Sequence, residues 1–93
     1  MAQTVGKAVR VATNTTLLVR SGLGQLISVT INKKGLTGNT LKVYDGLDAT
    51  GTLLADIDTT TALGTFLYDT IVATGIFVDM ATGTAADVTI VFG

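Results

Sequence analysis

A small all-β sandwich of antiparallel strands, jelly-roll-like or Greek-key in topology, is the fold the sequence predicts. Three observations predict it. Apolar and polar residues alternate with period two, Val, Ile and Thr dominate the alternating runs, and glycine-bearing turn signals divide them at short intervals. Alternation gives each run one buried and one solvated face. β-Branched side chains pack well on a pleated surface. Short, regularly spaced strands point to a sandwich or barrel.

Taken in order, the first 20 residues read differently from the rest. Val5, Lys7, Val9 and Val11 alternate with Gly6, Ala8, Arg10 and Ala12, and Leu17, Leu18 and Val19 follow after Asn14. Residues 1–20 are either the first strands of the domain or an extended arm that adds a strand to a neighbouring subunit. Residues 21–93 form the sandwich domain. Its strands are expected near 24–33, 39–45, 51–58, 64–71, 75–81 and 85–92. Between them fall Lys34-Gly35-Leu36-Thr37-Gly38-Asn39, Asp45-Gly46 with its following bend to Gly51, Thr74-Gly75 and Thr82-Gly83-Thr84. Glycine at such points supplies positive φ at little steric cost. Thr59-Thr60-Thr61 with Ala62 and Leu63 reads as a loop or one helical turn. Shared parity within each strand predicts a core of Ile27, Val29, Ile31, Leu41, Val43, Leu53, Ile57, Val78, Val88 and Ile90.

Length and composition bound the rest. With 93 residues there is room for one core. A chain this small gains stability from disulfides, metals or oligomerisation. It has no Cys and no His, which removes disulfides and the commonest zinc ligands. Oligomerisation remains. Hydrophobic residues make up 47% of the chain and charged residues 14%, too apolar for a disordered tail. No run approaches the roughly 18 apolar residues that span a bilayer, and Lys7, Arg10 and Arg20 interrupt the region where a secretory signal would sit. The expectation is a protein made in the cytoplasm, without a membrane partner.

Every basic residue comes early, from Lys7 to Lys42, and every acidic one later, from Asp45 to Asp87. Beyond chance, this order fits electrostatic complementarity between copies, or between the N-terminal segment and an acidic partner. Six scattered cations without clustered aromatics do not make a phosphate-tracking groove, so nucleic acid is not an expected partner. Leu26, Leu54, Leu67 and Val91 sit on the otherwise polar parity of their strands. Together with Lys7, Arg10 and Arg20 they are the expected partner interface, a second apolar surface covered by other subunits.

Catalysis lacks an inventory. Without His or Cys, acid–base work would fall to Asp, Lys or Tyr. Asp56 and Asp58 share a face, but a pair of carboxylates needs a cleft and a set separation. No enzyme activity and no cofactor are expected. Asp45 and Asp48 share one loop with several carbonyls, ligand types that suit calcium. Their spacing is not that of an EF-hand, and Asp-Gly serves hairpin turns, so no metal site is assigned. Gly22-Leu23-Gly24 lacks the phosphate-binding G-x-G-x-x-G pattern.

Three stretches carry a resemblance. They are Ile31-Asn32-Lys33-Lys34-Gly35, Thr40-Leu41-Lys42-Val43-Tyr44-Asp45-Gly46, and Gly51-Thr52-Leu53-Leu54-Ala55-Asp56-Ile57-Asp58-Thr59-Thr60. With Gly83-Thr84-Ala85-Ala86-Asp87-Val88-Thr89-Ile90 at the C-terminal side, residues 24–92 resemble small tailed-phage and prophage virion structural proteins. The resemblance implies a capsid decoration, or cement, subunit on the outer surface of the virion, with the major capsid protein as partner. A homo-oligomer is expected, three copies being the favoured number. The alternative is a tail or fibre component that binds a receptor or glycan. Sugar recognition uses exposed aromatics, and alternation places most of Tyr44, Phe66, Tyr68, Phe77 and Phe92 in or near the core.

Overall fold

The computed structural model describes residues 6–61 and 63–93. Residues 1–5, the start of the supposed arm, and Ala62 of the threonine-rich link lie outside the described residues. Eight strands follow one another: β1 (Lys7–Val11), β2 (Thr15–Ser21), β3 (Gly24–Lys33), β4 (Thr40–Asp45), β5 (Thr52–Asp58), β6 (Gly64–Val72), β7 (Gly75–Ala81) and β8 (Asp87–Phe92). They form two antiparallel four-stranded sheets. Sheet A has the order β1-β8-β3-β6 and sheet B the order β2-β7-β4-β5. Eight strands divided between two sheets by Greek-key connections make a jelly roll. Residues 7–21 therefore supply one edge strand to each sheet.

The core lies between the sheets. Val29, Ile31, Val88 and Ile90 of sheet A face Leu41, Val43, Ile76, Val78 and Met80 of sheet B, all at most 2% exposed. Val11, Leu26, Val72, Ala55, Ile57, Ala86 and Phe92 complete the same cluster.

Two bulges correct the parity reading. Against β8, Leu26 pairs with Phe92 and Ser28 with the adjacent Val91, so Ile27 is an extra residue. Against β6 the extra residue lies on β6, where Tyr68 and Asp69 stand opposite Ile27. Parity inverts there: Leu26 turns fully into the core, while Ile27 moves to the outer face, only half-buried. Leu26 is thus unavailable to a partner. A second shift lies opposite Val43 and Tyr44, where Val43 pairs with Ala55 and Tyr44 with Leu53. Leu54 is the extra residue and packs against the core. Leu53, expected inside, is 48% exposed. This second bulge exchanges the roles expected of Leu53 and Leu54.

One end of the sandwich is closed by a buried polar knot. Asn39 and Thr59 are both fully buried. The Asn39 amide donates to Asn14 Oδ1 at 2.8 Å and to the carbonyls of Thr82 at 2.9 Å and Ala81 at 3.2 Å. Its Oδ1 accepts the Ala86 N–H at 3.2 Å. Four loops are joined through one side chain. Gly35 packs flat against it, where a Cβ would stand 2.5 Å from Thr59 Oγ1. The residues Thr59–Thr61 form a turn in which Asp58 accepts the Thr60 N–H at 3.0 Å.

Candidate interaction surfaces

Because the two inner faces are filled, any binding chemistry lies on the outer faces, the edges and the loop ends. The outer face of sheet A is divided. Ala8, Val91, Ser28 and Leu67 stand side by side across its four strands. Beyond this row, toward the end carrying Gly6 and Gly93, apolar side chains surround a hydrogen bond from the Gln25 amide to the exposed Asp69 carboxylate. A Cβ on Gly6 would touch Val91 Cγ1 at 2.9 Å and Ile27 Cδ1 at 3.2 Å, which puts these three together. Leu67 and Ile71 are each 74% exposed and Leu23 is 68% exposed. A shallow cleft of about 370 Å³ lies among Leu23, Gly24, Gln25, Ile71 and Gly93. Exposed apolar side chains this closely grouped mark an interaction surface.

The other half of that face is polar and internally satisfied. Arg10, Thr89, Thr30 and Thr65 form the next row. The guanidinium of Arg10 makes a two-pronged ion pair with Asp87, one prong at 2.8 Å. Hydrogen bonding to Arg10, with help from Asn32, holds the Asp87 carboxyl below the usual carboxylate range. Asn32 also donates to Thr89 Oγ1 at 2.8 Å.

Of the cations expected at an interface, Lys7 stands exposed on edge strand β1, opposite Phe92. Arg10 is engaged with Asp87 of its own chain. Arg20 is half-buried and donates twice to the Leu23 carbonyl, at 2.8 and 2.6 Å. Its stem covers Gly24, where a Cβ would clash with it. Arg20 therefore holds the β2–β3 connection. The early-basic, late-acidic charge order is folded together within one chain, because early strands pair with late ones.

Sheet B carries the feature that parity analysis missed. Leu18, Phe77, Tyr44 and Leu53 form a continuous row across the outer face of β2, β7, β4 and β5. The Tyr44 and Phe77 rings lie 6.3 Å apart between centroids, tilted by 50°. Leu18 and Leu53 at the two ends are 42% and 48% exposed. Thr16, Asp79, Lys42 and Asp56 make the adjoining row. The signal was present in the sequence: Phe77 shares parity with Asp79, Tyr44 with Lys42 and Leu18 with Thr16.

The acidic loop serves its turns. Asp45 accepts backbone N–H groups from Ala73 at 3.0 Å, Thr74 at 2.9 Å and Gly75 at 3.4 Å. These bonds depress its pKa and fasten the β6–β7 connection to β4. Asp48 accepts the Thr50 N–H at 2.9 Å and the Thr50 hydroxyl at 2.5 Å, and its pKa is lowered by them. Among the described residues no cluster of three His, Cys, Asp or Glu side chains could hold a metal. No helix among them is long and apolar enough to cross a membrane.

The fold has a known counterpart. The chain is similar to the core of Drosophila NLP, whose crystal structure gives insight into pentamer formation and histone binding. The TM-score is 0.59 at 10% identity, over 97% of each chain. At that identity the likeness concerns the fold alone. No protein-family model matches the chain, and no curated protein matches its sequence.

Proposed function

We propose that the protein is a non-enzymatic structural component of a virus particle. In this reading it is made in the host cytoplasm and decorates the outer capsid surface, where it binds the major capsid protein and stabilises the shell. The resemblance of residues 24–92 to small phage virion proteins supports the virion setting. The observation that carries the binding role is the apolar end of sheet A, where Leu23, Leu67 and Ile71 stand exposed around a shallow cleft. Burying such side chains is worth roughly 25 cal/mol per Å² of apolar surface, and many copies on one shell add avidity.

The fold shared with a pentamer-forming, histone-binding core supports the coarser statement, a homo-oligomer with a protein partner. Three copies and the major capsid protein are its finer terms. A tail or fibre module that binds a receptor or glycan is the second reading, favoured by the outward-facing Tyr44 and Phe77. Quantitative mass spectrometry of purified particles tests both. On the order of hundreds of copies per particle fits a shell subunit held by avidity. A handful fits the tail or fibre, and absence from the particle removes the virion reading.

A further inference from the structure

We infer that the outer face of sheet B is a two-fold contact with a second copy of this chain. The two outer rows are arranged so that each matches its own reverse. Across β2, β7, β4 and β5 the first row reads Leu18, Phe77, Tyr44, Leu53, and the second Thr16, Asp79, Lys42, Asp56. Consider two copies face to face, related by a dyad running between β7 and β4, along the strands. The dyad reverses the order of each row on the opposing copy and keeps the rows in register. Leu18 then meets Leu53 of the second copy, and Phe77 meets its Tyr44. In the second row Lys42 meets the second copy's Asp79, and Asp79 its Lys42.

An isologous contact requires this self-complementarity. A dyad along the row instead would lay Lys42 and Asp79 over the glycine-bearing end of the opposing sheet, around Gly46, Gly51 and Gly75. The charges are available for the contact. Among the described residues the ion pair is Arg10 with Asp87, so Lys42 stands between two acidic strand neighbours without a bridge to either. Sheets packed face to face lie about 10 Å apart and within about 30° of parallel, a spacing that interdigitating aromatic and leucine side chains fill.

The size of the face sets the strength. Four strands of six residues cover roughly 19 by 20 Å, about half the area per partner of a standard specific interface. The pairing is therefore weak in dilute solution and gains where copies are already held close. It uses the sheet opposite to the apolar end of sheet A, so it stands whether or not the shell reading does.

Two charge reversals in the full-length protein test it. Lys42→Glu alone sets a new carboxylate against Asp79 in both halves of a homodimer, and Asp79→Lys alone sets a new ammonium group against Lys42. Each should weaken self-association in sedimentation about tenfold or more at low salt. An equimolar mixture of the two variants restores both contacts as opposite charges, and a mixed dimer should form as well as the wild type. Mixing cannot repair an effect confined to one chain, so recovery is specific to contact between copies. Leu18→Ser with Leu53→Ser, both on exposed edge-strand positions, should also abolish pairing while circular dichroism stays native. Wild-type protein that remains monomeric to about 1 mM, or a mixture that associates no better than either variant alone, overturns the inference. So does wild-type-like pairing by the double serine variant.

Discussion

The Thr59 hydroxyl donates to Asn39 Oδ1 at 2.6 Å, with both residues shut away from solvent. Neither side chain has an alternative partner in water, so each depends on the other. The bond links the end of β5 to the start of β4, and through the Asn39 amide it reaches the loops before β2 and after β7. A buried polar network of this kind fixes one arrangement of loops because any other leaves groups unpaired.

Asn39→Ala should therefore cost about 2–3 kcal/mol, since it strands buried donors and acceptors. Thr59→Val, which leaves the Ala86 N–H on Oδ1 in the parent geometry, should cost nearer 1 kcal/mol. Gly35→Ala should cost more than Thr59→Val, because its methyl would stand within 2.6 Å of Thr59 Oγ1 and of Asn39 Cβ and Oδ1. Urea unfolding at neutral pH measures all three, and an Asn39→Ala variant as stable as the parent would contradict the network.

The bulge in β3 makes a paired prediction. Leu26→Ala should lose about 2–5 kcal/mol, the range for a buried leucine. Ile27→Ala, on the half-buried outer face, should lose less than half as much. Charged substitutions at Val43 or Ile90, both fully buried, should prevent folding altogether. Equal losses at Leu26 and Ile27 would place the extra residue elsewhere.

Leu67→Ser combined with Ile71→Ser should leave stability within about 0.5 kcal/mol of the parent, as surface changes do. On the proposed shell role, the same variant should lose attachment to purified particles. Co-sedimentation with shells stripped of the native subunit separates these outcomes, and full attachment by the variant would remove sheet A from the contact.

Acid should destabilise the fold in a defined sense. The Asp45, Asp48, Asp58 and Asp87 carboxyls all have lowered pKa values, held down chiefly by hydrogen bonds from backbone, threonine or Arg10. Their contribution is complete above the ordinary carboxylate pKa. It is lost as pH falls through the lowered folded values. Melting temperature should drop between about pH 5 and pH 2. Asp45→Asn should lower it at neutral pH and flatten part of that slope. An unchanged slope would mean that the three bonds to the β6–β7 turn do not stabilise the fold.

Much of the sandwich was legible because alternation and glycine carry most of the information in such a chain. The strand expected at 75–81 is the strand found, and the one expected at 24–33 has the same ends. What escaped were positions decided by a partner strand. Leu26 and Leu54 have the parity of surface residues, and only the register of the neighbours reveals that one residue in each strand is extra. Tyr44 and Phe77 escaped for another reason: their parity marks them as outward, but aromatic side chains in a small apolar chain invite a core assignment. The destination of Arg10 was illegible, because Asp87 lies 77 residues away in sequence.

The position of β8 has a consequence for the order in which the protein can be made. Residues 87–92 lie between β1 and β3 in sheet A, so a ribosome that has released everything up to Ala86 has delivered both neighbours of a strand that does not yet exist. Until then β1 has no ladder to join, and the inner edge of β3 offers open backbone groups to any passing strand, an aggregation hazard. Closure of sheet A waits for the last strand and joins segments most of a chain length apart, Lys7 opposite Phe92. Long-range pairing of this kind folds in milliseconds to seconds. Lowering the growth temperature or supplying a holdase chaperone, which shields that open edge, should therefore raise the soluble yield.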